Sequence, residues 1–239
     1  VIHGRSDHDG TGGGTRIEAV EGTLLLPEPV NFINGSRVRA GNGTTIRLQG
    51  RTSVDGGVLS LTGSGKVYLE PGSWLRPANP PATFTIDSAP GVFELRGGDL
   101  FPPIDNAGEL TVTAPTGVGY GFLGYCPLNN SGKIHFTAGS AGDSGYSMTL
   151  GPLTAIVCEA SGTLAFDIAG RPGEQAKWAR LRQLGQTSVQ YGGVLRVRFS
   201  DFKPVGGDRW RILENQSGSP ANEGDFTRVE FSNVPAGFI

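Results

Sequence analysis

The chain has 239 residues, of which 18% are charged and 37% apolar, with a net charge of −2. That length allows one large all-β domain or two small ones, and the interleaved apolar residues argue against a disordered chain despite 39 glycines and 16 prolines. The sparse, balanced charge gives no electrostatic case for nucleic acid or an anionic membrane, and no apolar run approaches the roughly 20 residues of a membrane-spanning helix.

In chain order, residues 1–15 read as a lead-in or capping segment and 16–239 as one repetitive β domain. One phrase recurs along it: a turn glycine followed by a short strand with one apolar face. It appears as Gly43-Thr-Thr-Ile-Arg-Leu48, Gly57-Val-Leu-Ser-Leu61, Gly65-Lys-Val-Tyr-Leu69 and Gly91-Val-Phe-Glu-Leu95. It returns as Gly108-Glu-Leu-Thr-Val112, Gly132-Lys-Ile-His-Phe136, Gly162-Thr-Leu-Ala-Phe166 and Gly193-Val-Leu-Arg-Val197. Most of these glycines lie roughly 14–31 residues apart, the spacing of a chain that winds by repeating a coil. Turn clusters such as Glu70-Pro-Gly-Ser73 and Ala138-Gly-Ser-Ala-Gly-Asp-Ser-Gly145 separate the strands. Residues 174–185 have helical spacing at Trp178, Leu181 and Leu184 with Gly185 as a cap, yet the same letters fit strand-turn-strand.

The C-terminal third carries a more specific pattern. Tyr191-Gly-Gly-Val-Leu-Arg-Val-Arg-Phe199 is followed by Phe202-Lys-Pro-Val-Gly-Gly-Asp-Arg-Trp-Arg-Ile-Leu213 and Gly224-Asp-Phe-Thr-Arg-Val229. Residues 162–239 thus resemble the terminal coils of secreted right-handed parallel β-helix proteins, the autotransporter-passenger-like and haemagglutinin-like surface proteins of bacteria. The resemblance implies a β-solenoid, places 174–185 as strands and points to a secreted or cell-surface setting. It is silent on activity. A β-sandwich with similar turns is the alternative fold and would require antiparallel hairpins.

The start at Val1-Ile-His3 reads as a trimmed end whose export signal is gone, and Val234-Pro-Ala-Gly-Phe-Ile239 stops in mid-pattern, as in a fragment or an end completed by a partner strand. Cys126 and Cys158 are a candidate disulfide, because residues one or two coils apart can stack within bridging distance; two separate thiols are the plain alternative. Asn34, Asn42, Asn129 and Asn215 head glycosylation triplets.

Catalytic signals are weak. Gly142-Asp-Ser-Gly-Tyr146 resembles a serine-protease nucleophile sequence, but His3, His8 and His135 sit in no matching motif, and a glycine-rich turn explains it better. Asp7-His8-Asp9 with His3 offers metal-ligating chemistry, but a solvated N-terminal loop accounts for it better. Asp55, Glu70, Glu94, Asp99, Asp105 and Glu109 are scattered acids; Glu94 with Asp99 or Glu109 can in principle reach the separation that glycoside hydrolysis needs, but nothing picks out one pair. Trp74, Tyr120, Phe122, Tyr125 and Tyr146 either form a sugar-stacking platform or fill the core. No phosphate loop forms at Gly117-Val-Gly-Tyr-Gly-Phe122, which lacks a following helix.

The expectation is therefore a structural or adhesive surface module, not an enzyme, with no catalytic, cofactor or metal site and no cofactor. Its expected partners are further copies of itself, end to end or side by side, and surface glycans, with no nucleic acid and no membrane span. The alternative is a carbohydrate-binding or polysaccharide-cleaving β-helix.

Overall fold

The computed structural model describes residues 16–235 except 28, 34, 88–90, 102, 119–125, 143–144, 152–153, 175–176, 186–187 and 216–222, with backbone alone at 55–59, 77–82, 84 and 126. The expected lead-in, residues 1–15, lies outside the described residues.

The chain winds through three faces in constant order. β1 (Arg16–Ala19) lies on the third face, and a first full coil follows as β2 (Thr23–Leu26), β3 (Val30–Ile33) and β4 (Ser36–Ala40) on faces one, two and three. β5 (Thr45–Leu48) returns to face one, and the long β6 (Arg51–Gly63) turns the corner to supply faces two and three. β7 (Lys66–Leu69) and β8 (Trp74–Asp87) repeat that arrangement. Regular triplets come next. They are β9 (Val92–Arg96), β10 (Asp99–Leu100), β11 (Ile104–Asn106), then β12 (Glu109–Ala114), β13 (Thr116–Val118), β14 (Cys126–Asn130). After them run β15 (Lys133–Phe136), β16 (Met148–Leu150), β17 (Thr154–Cys158), then β18 (Thr163–Ile168), β19 (Leu181–Gln183), β20 (Ser188–Gln190). β21 (Val194–Phe199), β22 (Leu213–Asn215) and a bridge at Glu223 make the last full coil, and β23 (Arg228–Ser232) re-enters face one.

Every strand-to-strand ladder is parallel; face one is a nine-stranded sheet, and faces two and three are joined through β6 and β8. This is a parallel β-solenoid, and among the described residues the antiparallel hairpins of a β-sandwich are not formed.

The recurring phrase sets the phase of face one. Its second and fourth strand positions point inward, so Ile46, Val67, Phe93, Leu110, Ile134 and Leu164 form one buried column. Leu48, Leu69, Leu95, Val112, Phe136 and Phe166 form a second, in which the last two rings stack at 4.6 Å and 16°. Burying each such side chain contributes roughly 1.5–3 kcal/mol.

The glycine before the strand answers a different need. At this corner the amide after each glycine donates to a carbonyl one coil below: Lys133 to Gly108 at 2.8 Å, Thr163 to Gly132 at 2.8 Å and Val194 to Gly162 at 2.9 Å. A Cβ on Gly132 would sit 2.2 Å from the Gly108 oxygen, and one on Gly193, whose φ is +59°, 2.1 Å from the Gly162 oxygen. Coils can stack this closely only if the corner carries no side chain.

The inner edge of face three is closed by amides. Asn106 Nδ2 donates to Asn130 Oδ1 at 2.7 Å and to the Lys133 carbonyl at 3.1 Å, and Asn130 Nδ2 donates to the Thr163 carbonyl at 3.2 Å. Cys158 occupies the next place in this column, with its sulfur 3.7 Å from Asn130 Nδ2. The expected disulfide is corrected here. Cys158 is a free, buried thiol. Cys126 is opposite Thr154 while Cys158 is opposite Asn130, four places along the same pair of strands. That offset is about 13 Å at strand rise, well beyond the roughly 7 Å that a disulfide spans.

The ambiguous stretch at 174–185 takes the strand reading. Trp178 bridges Ile168, β19 fills the face-two position, and both Trp178 and Leu181 point inward. Face-one strands recur after 17 residues at the shortest, from Val92 to Glu109, and 34 at the longest, from Val194 to Arg228. The extra length of the late coils builds a side core of Ile168, Trp178, Val197 and Phe199 against Phe202 and Trp210. Among the described residues, no helix is long and apolar enough to cross a membrane.

Candidate functional site

Inward positions alternate with outward ones, so the third strand position of face one lines up on the surface. Arg47, Tyr68, Glu94, Thr111, His135, Ala165, Arg196 and Glu230 run in register from coil to coil. Their flanks complete a band of ion pairs. Arg47 Nε reaches Glu70 Oε1 at 2.5 Å, Arg96 Nε reaches Glu94 Oε1 at 2.9 Å, and the Arg96 guanidinium lies 3.4 Å from the centre of the Tyr68 ring. Further along, Lys133 Nζ is 3.0 Å from Glu109 Oε1, and Arg196 pairs with Glu230 at 2.7 Å.

The densest chemistry surrounds His135. Its Nε2 is 3.1 Å from Asp167 Oδ2 and its Nδ1 is 3.8 Å from Glu109 Oε1. Asp167, on β18 with its side chain 5% exposed, also accepts from Arg198 Nε at 3.0 Å and Nη2 at 2.5 Å. Burial by itself would raise the Asp167 carboxyl, but hydrogen bonds from His135 and Arg198 outweigh it and hold the group below its usual range. The result is a stably ionised carboxylate. His135 faces acids through both ring nitrogens, an arrangement that ties three coils together and leaves neither nitrogen directed at a substrate. Beside it, a shallow concavity of about 300 Å³ follows the glycine corner past Gly108, Gly132, Glu109 and Lys133.

The acids singled out in the sequence divide among the faces. Glu94 and Glu109 share face one on adjacent strands, each held by its own cation. Asp99 lies on face two and accepts the Gly117 amide at 3.0 Å, so the pairing of Glu94 with Asp99 does not form. On face three Asp105 accepts from the Asn129 amide at 2.8 Å, which occupies one glycosylation candidate; Asn42 and Asn215 are exposed. His3, Asp7, His8, Asp9, Asn34, Tyr120, Phe122, Tyr125, Asp143 and Ser144 lie outside the described residues, as does the side chain of Asp55. Among the described residues, no three His, Cys, Asp or Glu side chains gather as metal ligands.

Trp74 and Tyr146 are neither core nor free. Both are half-buried on the outer side of face two, each flanked by two arginines. Sequence reasoning missed Asp167 and Arg198. Aligning the phrases at their glycines would have placed Glu109 over Lys133 and Thr111 over His135, and one strand extension more gives Asp167 beside Arg198. Compared with known proteins, the chain matches no family model, no curated protein and no solved structure.

Proposed function

We propose that this chain is an extracellular structural or adhesive surface module, a stiff rod that offers flat faces to a surface and to further copies of itself. The observation that supports it is the band on face one. Glu70, Glu94, Glu109, Asp167 and Glu230 each meet a cation, four of them on a neighbouring coil, so the chemistry of face one serves cohesion. The resemblance of residues 162–239 to the terminal coils of secreted bacterial surface proteins supports placement outside the cell. Contact between copies belongs to the same reading. Val229 and Phe231 of β23 continue the inward columns of face one yet are 49% and 42% exposed, and another parallel strand is the surface that fits them.

The test combines negative-stain electron microscopy and light scattering with adhesion to cell-wall material and to a panel of immobilised polysaccharides. Filaments, arrays or saturable adhesion support the module. A strictly monomeric chain that adheres to nothing in the panel sinks it.

A further inference from the structure

Face two differs from face one in how its charge is handled. Its outward row runs Arg51, Trp74, Asp99, Gly117, Thr149, Arg182, Glu214, set by the register of β6, β8, β10, β13, β16, β19 and β22. At one end the Trp74 ring has the Arg76 guanidinium 4.1 Å and the Arg51 guanidinium 5.7 Å from its centre, with Phe101 edge-on at 6.5 Å. At the other end the Tyr146 ring has Arg180 and Arg182 both at 4.6 Å. Arg180 is bound to Glu214 at 2.8 Å, and the Tyr146 hydroxyl donates to the same carboxylate at 3.0 Å.

Arg51, Arg76 and Arg182 have no carboxylate partner among the described residues. In addition, the Nε atoms of Arg180 and Arg182 are buried and reach no acceptor. Buried donors without acceptors are rare and call for a missing partner. Between the two clusters the row drops to Gly117, which has no side chain, and to the hydroxyl of Thr149. Four strand steps separate Trp74 from Arg182, about 19 Å along the solenoid.

We propose that this row is a binding lane for an acidic glycan, a sugar chain bearing carboxylate or sulfate groups, with one anchor at Trp74 and the other at Tyr146. Guanidinium groups recognise both anions through paired N–H donors, and the aromatic faces supply flat apolar contact for a ring. Carboxylate and sulfate share that chemistry, and only binding data separate them. A nucleic-acid strand fits less well, because tight binding needs more phosphate contacts than the arginines of this lane supply. The lane deepens the adhesive reading above and rests on it.

The test measures binding of the full chain to polygalacturonate, dextran sulfate, neutral dextran and poly(dT), with Arg51→Gln, Arg76→Gln, Trp74→Ala and Arg182→Gln as variants and Arg196→Gln on face one as the control. Expected is saturable binding to polygalacturonate or dextran sulfate and none to dextran. Arg182→Gln and Trp74→Ala should each weaken it about tenfold, about 1.4 kcal/mol, and Arg196→Gln should leave it unchanged. Arg51 and Arg76 are exposed, so their variants keep the test valid if Trp74→Ala or Arg182→Gln fails to fold. Equal binding by all the lane variants, an equal loss with Arg196→Gln, or preference for poly(dT) overturns the lane. Adhesion to a neutral glycan or a cell surface with no response to the acidic probes sinks the lane and leaves the module standing. A monomer that binds nothing sinks both.

Discussion

Asp167→Asn is the substitution that isolates the ion-pair band from everything else. The new amide keeps the shape of the carboxylate, so no cavity opens, while the charge is lost and one acceptor oxygen becomes an NH2 donor facing other donors. Asp167 accepts three hydrogen bonds, from His135 Nε2 and from Arg198 Nε and Nη2, and its side chain is almost fully shielded from water. A hydrogen bond to a charged group contributes about 1.5–3 kcal/mol. The Arg198 end is half exposed, which discounts its share towards the 0.2–1 kcal/mol of surface pairs. The expected loss is therefore about 2–3 kcal/mol, read as a fall in melting midpoint of roughly 4–10 °C for a chain of this size. The pH dependence has a definite sign. The folded carboxyl titrates below its unfolded value of about 3.9, so its contribution is fully present above that value and is lost as pH falls through the folded one. The gap between wild type and Asp167→Asn should stay constant from neutral pH down to about 5 and close below about 4. Thermal unfolding followed by circular dichroism across that range reads both. A midpoint within about 1 °C of wild type at pH 7 would refute the claim that this pair ties the coils, and a gap that persists unchanged in acid would refute the assignment to the Asp167 charge.

Three further outcomes follow from the corner, the amide column and the thiol. Gly132→Ala drives a Cβ to 2.2 Å from the Gly108 oxygen, a backbone atom, and should destabilise by about 1–3 kcal/mol, whereas Gly72→Ala, where nothing lies within 4 Å, suffers only from its φ of +72°; denaturant midpoints of the two variants check the ordering. Asn130→Ala takes one of two acceptors from the Asn106 amide and the side-chain donor from the Thr163 carbonyl, and should cost about 1–3 kcal/mol, with fast amide exchange localised to β14 and β15; protection equal to wild type there contradicts the amide column. Burial pushes the Cys158 thiol up in pKa, against smaller opposing hydrogen bonds from Asn130 and Gly192, so it should resist a thiol reagent in the native state. Both cysteines should react after unfolding without reductant, and a missing pair of thiols would restore the disulfide.

What could be read in the sequence is what the glycine corner dictates. In β7, β9, β12, β15, β18 and β21 the turn glycine immediately precedes the first strand position and so fixes the strand's phase. The inward columns through Ile134 and Phe136 and the outward places of Lys133 and His135 are all implicit in it. Elsewhere the phrase recurs only at Gly57-Val-Leu-Ser-Leu61, which the structure places on face three, so faces two and three have no regular marker. Their strands are as short as Asp99–Leu100 or merge around a corner as in Arg51–Gly63, so which residue lies above which depends on loop lengths that no periodicity announces. The cysteines show the cost. Counting coils put Cys126 and Cys158 on neighbouring turns, and the stack does so too, but strand phase sets them at opposite ends of the pair. Trp74 and Tyr146 defeated a choice between core and surface because each ring is half-buried and packed against two arginines.

A parallel stack brings the same outward place on successive coils within about 4.8 Å, so identical charges cannot be repeated along a row without penalty. Face one meets this by alternating sign from coil to coil, as Glu109 with Lys133 and Arg196 with Glu230, and the attraction then adds to the stacking of the core. On face three Glu18 takes Arg16 and Arg39, and Asn129 lies beside Asp105, while Arg37 stacks on Arg16. Face two handles its row differently. It spaces its arginines with aromatic rings and a bare glycine, and three of the guanidinium groups are left without a counter-ion from the chain's described residues. Cohesion alone would favour filling those places with acids, as it does on the opposite side of the same coils at Glu94 and Glu109. Positive charge kept unpaired on one face, when the same fold neutralises it on another, is better explained by a ligand that supplies the missing anions than by the needs of the stack.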